Sequence, residues 1–156
     1  VAWAGTICSD PVMLSVSIRK ERYSHDIISE TGEFVVNLTT EELCHATDYC
    51  GVRSGRDVDK FKEMHLTAEK ASKIKAPLIG ESPVNLECKV VDVKELGSHD
   101  MFIAQVVAVH VDEKYLDDKG RLDLGKANLI TYSHGEYFGL GKKLGKFGYS
   151  VEKKNK

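Results

Sequence analysis

The sequence lacks most of the features that would fix its class at once. Among 156 residues there are 3 prolines, 1 tryptophan and 4 cysteines. No apolar run approaches the roughly 20 residues that a membrane-crossing helix needs, which argues against an integral membrane protein. With 42% hydrophobic and 29% charged residues, the composition is not that of a disordered chain. Cys8, Cys44, Cys50 and Cys88 are too few and too scattered for a disulfide scaffold, so reduced thiols in a cytoplasm are expected. An excess of one charge is missing too: 22 Lys+Arg against 24 Asp+Glu leave −2, and that balance does not point to nucleic acid as the main partner. The chain opens at Val1 without an initiating Met and runs straight into Ala2-Trp3-Ala4-Gly5. That reads as interior sequence, so an upstream segment is expected.

What is present suits one domain over residues 1–156, long enough to bury a core without a structural metal. Val12 to Arg19 alternates with period two, apolar at the even positions, and predicts a half-buried strand. Ser24 to Gly32 predicts a short helix, with Ser24 as N-cap, Asp26 in the first turn and Gly32 at the left-handed stop. Glu33 to Leu38 reads as a strand, and Thr40 to Gly51 as a second short helix. A polar stretch from Gly51 to Lys75 carries a helical turn near Asp59-Lys60-Phe61, and Pro77 and Pro83 bracket a connector. Val84 to Leu96 and Met101 to Val111 are the two longest β-like runs, joined like a hairpin by Leu96-Gly97-Ser98-His99-Asp100. Asn128 to Tyr132 reads as a further strand. Strands that neighbour one another without alternating helices predict a barrel or sandwich, not a parallel α/β sheet.

Several familiar motifs fail on physical grounds. Gly120 to Lys126 has the spacing of a phosphate-binding loop, but Ala127 stands where a hydroxyl would hold Mg²⁺. Gly139-Leu140-Gly141 is followed by Gly145, one residue late for a dinucleotide fingerprint, with no βαβ unit around it. Cys44, His45 and Cys50 lack the paired spacing of a zinc site. Asp112, Asp117 and Asp118 fall out of register with a calcium loop and read as a polar turn. From Leu140 to Lys156 six lysines face one acid, with Phe147 and Tyr149 between them. A solvated basic tail over about 150–156 is favoured there over a nucleic-acid surface.

The informative stretch is Ser17 to Ser24, where a strand ends in Arg19, Lys20 and Arg22 and turns into a helix start. Unpaired N–H groups at a helix start, the helix dipole and arginine side chains together suit a phosphate dianion. The competing reading is a loop merely made soluble by its charges. Ser54-Gly55-Arg56 to Lys60-Phe61 is a second basic segment that would bring Lys60 to the same anion if the fold joins the two.

Read in order, a series of blocks forms one pattern: Ala2-Trp3-x-Gly5, Pro11 to Ser24, Gly32 to Leu38, and Cys50-Gly51 through Ser54-Gly55-Arg56 to Asp59-Lys60-Phe61. Ala76-Pro77-Leu78-Ile79, Val84 to Cys88 and Gly97-Ser98-His99-Asp100 complete it. The pattern resembles the flavin reductase-like FMN-binding proteins, especially their flavoredoxin branch, over nearly the whole chain. The resemblance implies a mainly β FMN-binding split barrel, six-stranded and Greek-key, with short peripheral helices. It implies a homodimer with FMN near the interface, and a strand upstream of Trp3 that this sequence lacks. By matched position Trp3 would lie beside the flavin, Ser24 would touch the phosphate, Lys60 would supply a cation and His99 would reach the cofactor. Tyr132 is the candidate aromatic contact, with Tyr137 or Phe138 as alternatives. Ser17, Arg19 and Arg22 join the set from the physical reading of the phosphate pocket. The implied activity is an oxidoreductase moving electrons from NADH, NADPH or a protein donor through FMN to flavin, ferric or protein acceptors. An electron carrier with no nicotinamide site is the alternative.

Overall fold

In the computed structural model, which describes residues 2–152, the main sheet is a five-stranded antiparallel one. The basic tail's Lys153, Lys154 and Lys156 lie outside the described residues. Its strands are β1 (Ala4–Ser9), β2 (Val12–Arg19), β3 (Glu33–Asn37), β6 (Val84–Glu95) and β7 (His99–Val111), in the order β1-β2-β7-β6-β3. Short pairs β4 (Ala68–Glu69) with β5 (Leu78–Ile79) and β8 (Ile130–Ser133) with β9 (Glu136–Gly139) sit outside it. Among the described residues there are three short α-helices: α1 (Tyr23–Thr31), α2 (Cys44–Val52) and α3 (Lys60–Glu63). The mainly β architecture with small helices matches the sequence reading. Five strands rather than six make the main sheet among the described residues, and β1 and β3 are its edges.

The alternation of β2 buries Leu14, Val16 and Ile18 on one face. These pack with Ile28 of α1, Phe34 of β3, Cys88 of β6, and Phe102 and Ala104 of β7. Each large apolar side chain so buried contributes about 1.5–3 kcal/mol before entropy is counted. A register shift between Glu87 and Cys88 in β6 breaks the period-two rule, and both residues end up fully buried.

Boundaries moved where tertiary contacts overrode local signals. Strand β1 has no apolar alternation to announce it and exists through its pairing with β2. Helix α2 begins at Cys44, not Thr40, because Thr40 is held extended by a bridge to Leu129 while its hydroxyl accepts the Leu43 N–H at 3.3 Å. Strand β8 begins at Ile130 because Asn128 takes a positive φ of 47° that no strand residue can adopt. Gly32 does close α1 in the left-handed region (φ 67°), its N–H donating to the Ile28 carbonyl at 2.8 Å. The Asp117 segment is the expected polar turn, the carboxylate accepting from the N–H groups of Lys119 and Arg121. None of the helices among the described residues is long and apolar enough to cross a membrane.

Candidate functional site

The two basic segments meet. From the turn after β2, Arg22 donates to the Gly51 carbonyl at 3.3 Å, and from α3 Lys60 donates to the Cys50 carbonyl at 2.6 Å. Two cations thus converge on consecutive carbonyls at the C-terminal end of α2, where the helix dipole favours positive charge. A third cation, Arg56, lies 4.5 Å from the centre of the Tyr23 ring and pairs with Asp26, both in the first turn of α1. Gly55 makes that approach possible, since a Cβ there would stand 3.3 Å from the Tyr23 ring. Lys60 is aimed by its own helix: Asp59 caps α3 by accepting from the N–H groups of Phe61 and Lys62.

Ser24 does not cap α1. The cap position belongs to Arg22, whose side chain goes to Gly51 instead, so the start of α1 has no side-chain acceptor. The helix begins two residues earlier than a cap at Ser24 implies, because the turn from β2 closes at Arg22, whose N–H donates to the Arg19 carbonyl. Ser24 sits exposed at the second helical position, and its hydroxyl has no hydrogen-bond partner among the described residues. An uncapped helix start, a free hydroxyl and the nearby cations form a donor set suited to a phosphate dianion.

A second group forms at the end of the β2–β7 ladder. Trp3 stacks on His99, ring centres 4.4 Å apart and planes 29° from parallel, while 62% of Trp3 remains open to solvent. The Ser17 N–H donates to the Trp3 carbonyl at 2.9 Å, and Arg19 is the cross-strand partner of His99. Ser17 and Arg19 lie on the face of β2 opposite Val16 and Ile18, which is why they stay clear of the core. Arg19 is exposed and, among the described residues, pairs with Glu21 at 3.4 Å. Ser98 Oγ lies 2.8 Å from His99 Nδ1 and orients the imidazole. Aromatic surface beside exposed donors suits a flat heteroaromatic ring.

Between the groups stands a clamp that the sequence reading missed. Asp100 is buried on β7, with Oδ2 2.8 Å from His25 Nε2 and Oδ1 3.2 Å from Lys20 Nζ. The hydrogen bond from His25, with Lys20 beside it, holds the Asp100 carboxyl below the usual carboxylate range against the effect of burial. An acid in the inward phase of β7, beside Phe102 and Ala104, was the available signal. Arg56 and Tyr23 were missed because their contact joins segments over 30 residues apart.

Tyr132 is tied to α2 rather than to either group. Its ring meets Tyr137 at 5.2 Å, and the Tyr137 hydroxyl donates to Asp48 of α2 at 3.1 Å. A cavity of about 430 Å³ opens beside the cationic turn; Ser24, Cys50 and Gly51 lie on its wall, with Val16, Ile18 and Phe34 supplying apolar lining. Among the described residues no three His, Cys, Asp or Glu side chains are arranged to hold a metal ion.

The family model described as "Flavin reductase like domain" matches residues 1–141. The solved structure of flavoredoxin from Desulfovibrio vulgaris (Miyazaki F) superposes with a TM-score of 0.90 at 33% identity, covering 97% of this chain and 82% of that one. Flavoredoxin from Methanosarcina acetivorans gives a TM-score of 0.84 at 32% identity, over 96% of this chain and 82% of that one. A ferric-chelate reductase (NAD(P)H) of Archaeoglobus fulgidus is 28% identical over 137 residues, 87% of this chain and 73% of the relative. The match over residues 1–141, together with the fold, shows that this chain belongs to the flavin reductase-like domain family.

Proposed function

We propose that the protein is an FMN-binding oxidoreductase. The supporting observation is the convergence of Arg22 and Lys60 on the adjoining carbonyls of Gly51 and Cys50, next to the uncapped start of α1. Arg22, Lys60, Ser24 and the first N–H groups of α1 would hold the phosphate, with Arg19 adding charge from the strand end. Trp3 and His99, stacked and open on one side, would support the ring, with Ser17 at the base of that platform. When bound, FMN supplies the redox chemistry, taking a hydride or electrons at its ring and passing them on. The chain's own work is to bind, to orient and to leave access. His99 would offer an N–H donor to developing negative charge on the ring. Hydride transfer needs no side chain as acid or base, and none is assigned one here.

Electrons would come from NADH, NADPH or a protein donor and leave to flavin, ferric or protein acceptors; the ferric-chelate reductase relative favours a nicotinamide donor. The likeness to flavoredoxin favours a second reading, an electron carrier that uses the same pocket without nicotinamide. We further infer a homodimer, and a reducing compartment such as the cytoplasm in keeping with four free cysteines. Desalting after incubation with FMN tests binding: a retained yellow chromophore supports the proposal, while neither retention nor quenching of FMN fluorescence at excess protein rejects it. Anaerobic mixing of the loaded protein with NADH or NADPH then separates the two readings. Rapid bleaching is expected of the enzyme, and its absence of the carrier.

A further inference from the structure

The segment after β9 displays apolar side chains that its own chain leaves uncovered. Leu144, Phe147 and Val151 are 84%, 107% and 81% exposed. Lysines 142, 143 and 146 lie among them, and a Lys146–Glu152 ion pair at 2.5 Å fastens the turn that presents Phe147. Residues 140–156 carry a net +5, which leaves −7 on residues 1–139.

The same chain carries a groove of the opposite character. A cavity of about 400 Å³ lies between the start of α2 and the segment after α3, with Leu43, Met64 and Leu66 as its apolar lining and Glu42, Glu63 and Glu81 around it. None of these three glutamates forms an ion pair among the described residues. The groove also adjoins the root of the basic segment. Leu140 donates its N–H to the Leu129 carbonyl, Leu129 bridges to Thr40, and Thr40 leads directly to Glu42 and Leu43.

We propose that the groove receives the 140–152 segment of a second copy of this chain, with the Phe147 ring on the apolar lining and the lysines against the glutamates. Apolar contact supplies the attraction, and complementary charge fixes the partner and the register. Because root and groove are neighbours, a two-fold axis close to both would let each copy lend its segment to the other. The resulting interface is self-complementary and closes after two copies. Within one chain Phe147 is fully exposed and so is not seated in its own groove, and its turn is fastened by Lys146 and Glu152. This inference rests on the homodimer reading and gives it an interface.

Sedimentation velocity across a range of protein and salt concentrations tests it on the full chain. The wild type is expected to dimerise, less tightly as salt rises. Phe147→Asp, and separately the pair Glu42→Lys with Glu63→Lys, should each weaken dimerisation by about tenfold or more. Combining the glutamate pair with Lys142→Glu and Lys143→Glu should recover part of the loss. Circular dichroism melts confirm that each variant is folded. A wild type that stays monomeric overturns both the homodimer reading and this interface. A dimer indifferent to both sets of substitutions overturns the interface alone. Monomers that pellet with phosphatidylserine vesicles through an intact Phe147 would assign the segment to a membrane surface instead.

Discussion

His25 Nε2 stands 2.8 Å from Asp100 Oδ2, so the first turn of α1 is bonded to the inward side of β7. The His25 ring also meets Phe102 edge-on, with centroids 5.3 Å apart, which seats the clamp on the core. The turn bearing Arg19, Lys20 and Arg22 is therefore held at both sides, by the sheet through Asp100 and by α2 through Gly51.

Removing the clamp should loosen the turn proposed to hold the phosphate. Asp100→Ala is expected to lower the melting temperature and to weaken FMN binding by about tenfold. The carboxyl is depressed in the folded state, so its contribution is present above the ordinary carboxylate value and is lost as pH falls through the folded value. Thermal melts of wild type and Asp100→Ala should therefore converge as the pH is lowered below about 4. A constant difference between them down to pH 2 would count against the charge and for a purely steric role.

Glu87 is the second acid-sensitive point. It is fully buried, and its Oε1 accepts from the Ser72 N–H (2.7 Å), the Ser72 hydroxyl (2.9 Å) and His110 Nε2 (2.5 Å). Its Oε2 accepts from the Lys73 N–H at 2.7 Å, so one carboxylate pins the loop leading to Pro77. Burial pushes the carboxyl up, but the donors of Ser72, His110 and Lys73 outweigh it and hold the value at about 2 instead of 4.5. The stability this gives is whole above pH 4.5 and is lost between there and pH 2. Glu87→Ala should cost about 2–4 kcal/mol in denaturant unfolding at pH 7, by orphaning buried donors. An unchanged midpoint would show that the loop finds other acceptors.

Phosphate and ring contacts can be separated with two ligands. Arg22→Ala and Lys60→Ala should each weaken FMN binding by about 10–100-fold, the scale of one charged hydrogen bond, and leave riboflavin binding nearly unchanged. Titration by flavin fluorescence reads both. Equal losses for the two ligands would remove these residues from the phosphate site.

Trp3 and His99 make the opposite prediction. Trp3→Ala should weaken FMN and riboflavin alike, by about threefold to tenfold for one aromatic contact. His99→Ala should in addition lower the midpoint potential of bound FMN, because a donor to the reduced ring is lost. Spectroelectrochemistry decides it: a potential and an affinity equal to wild type would withdraw that role from His99.

Local chemistry fixed much of this protein without help from the fold. The period of β2, the left-handed stop at Gly32, the Asp59 cap and the run of cations after β2 follow from side-chain alternation, glycine's freedom and short-range hydrogen bonds. Tertiary structure decided the rest. It gave the cap position to Arg22 over Ser24, made a strand of Ala4–Ser9 by pairing, and buried Glu87 through a shift of register. It also brought Arg22 and Lys60 to neighbouring carbonyls across nearly 40 residues of chain. Such contacts cannot be read along the sequence, because closing a long loop costs entropy that only the assembled core and its bonds offset.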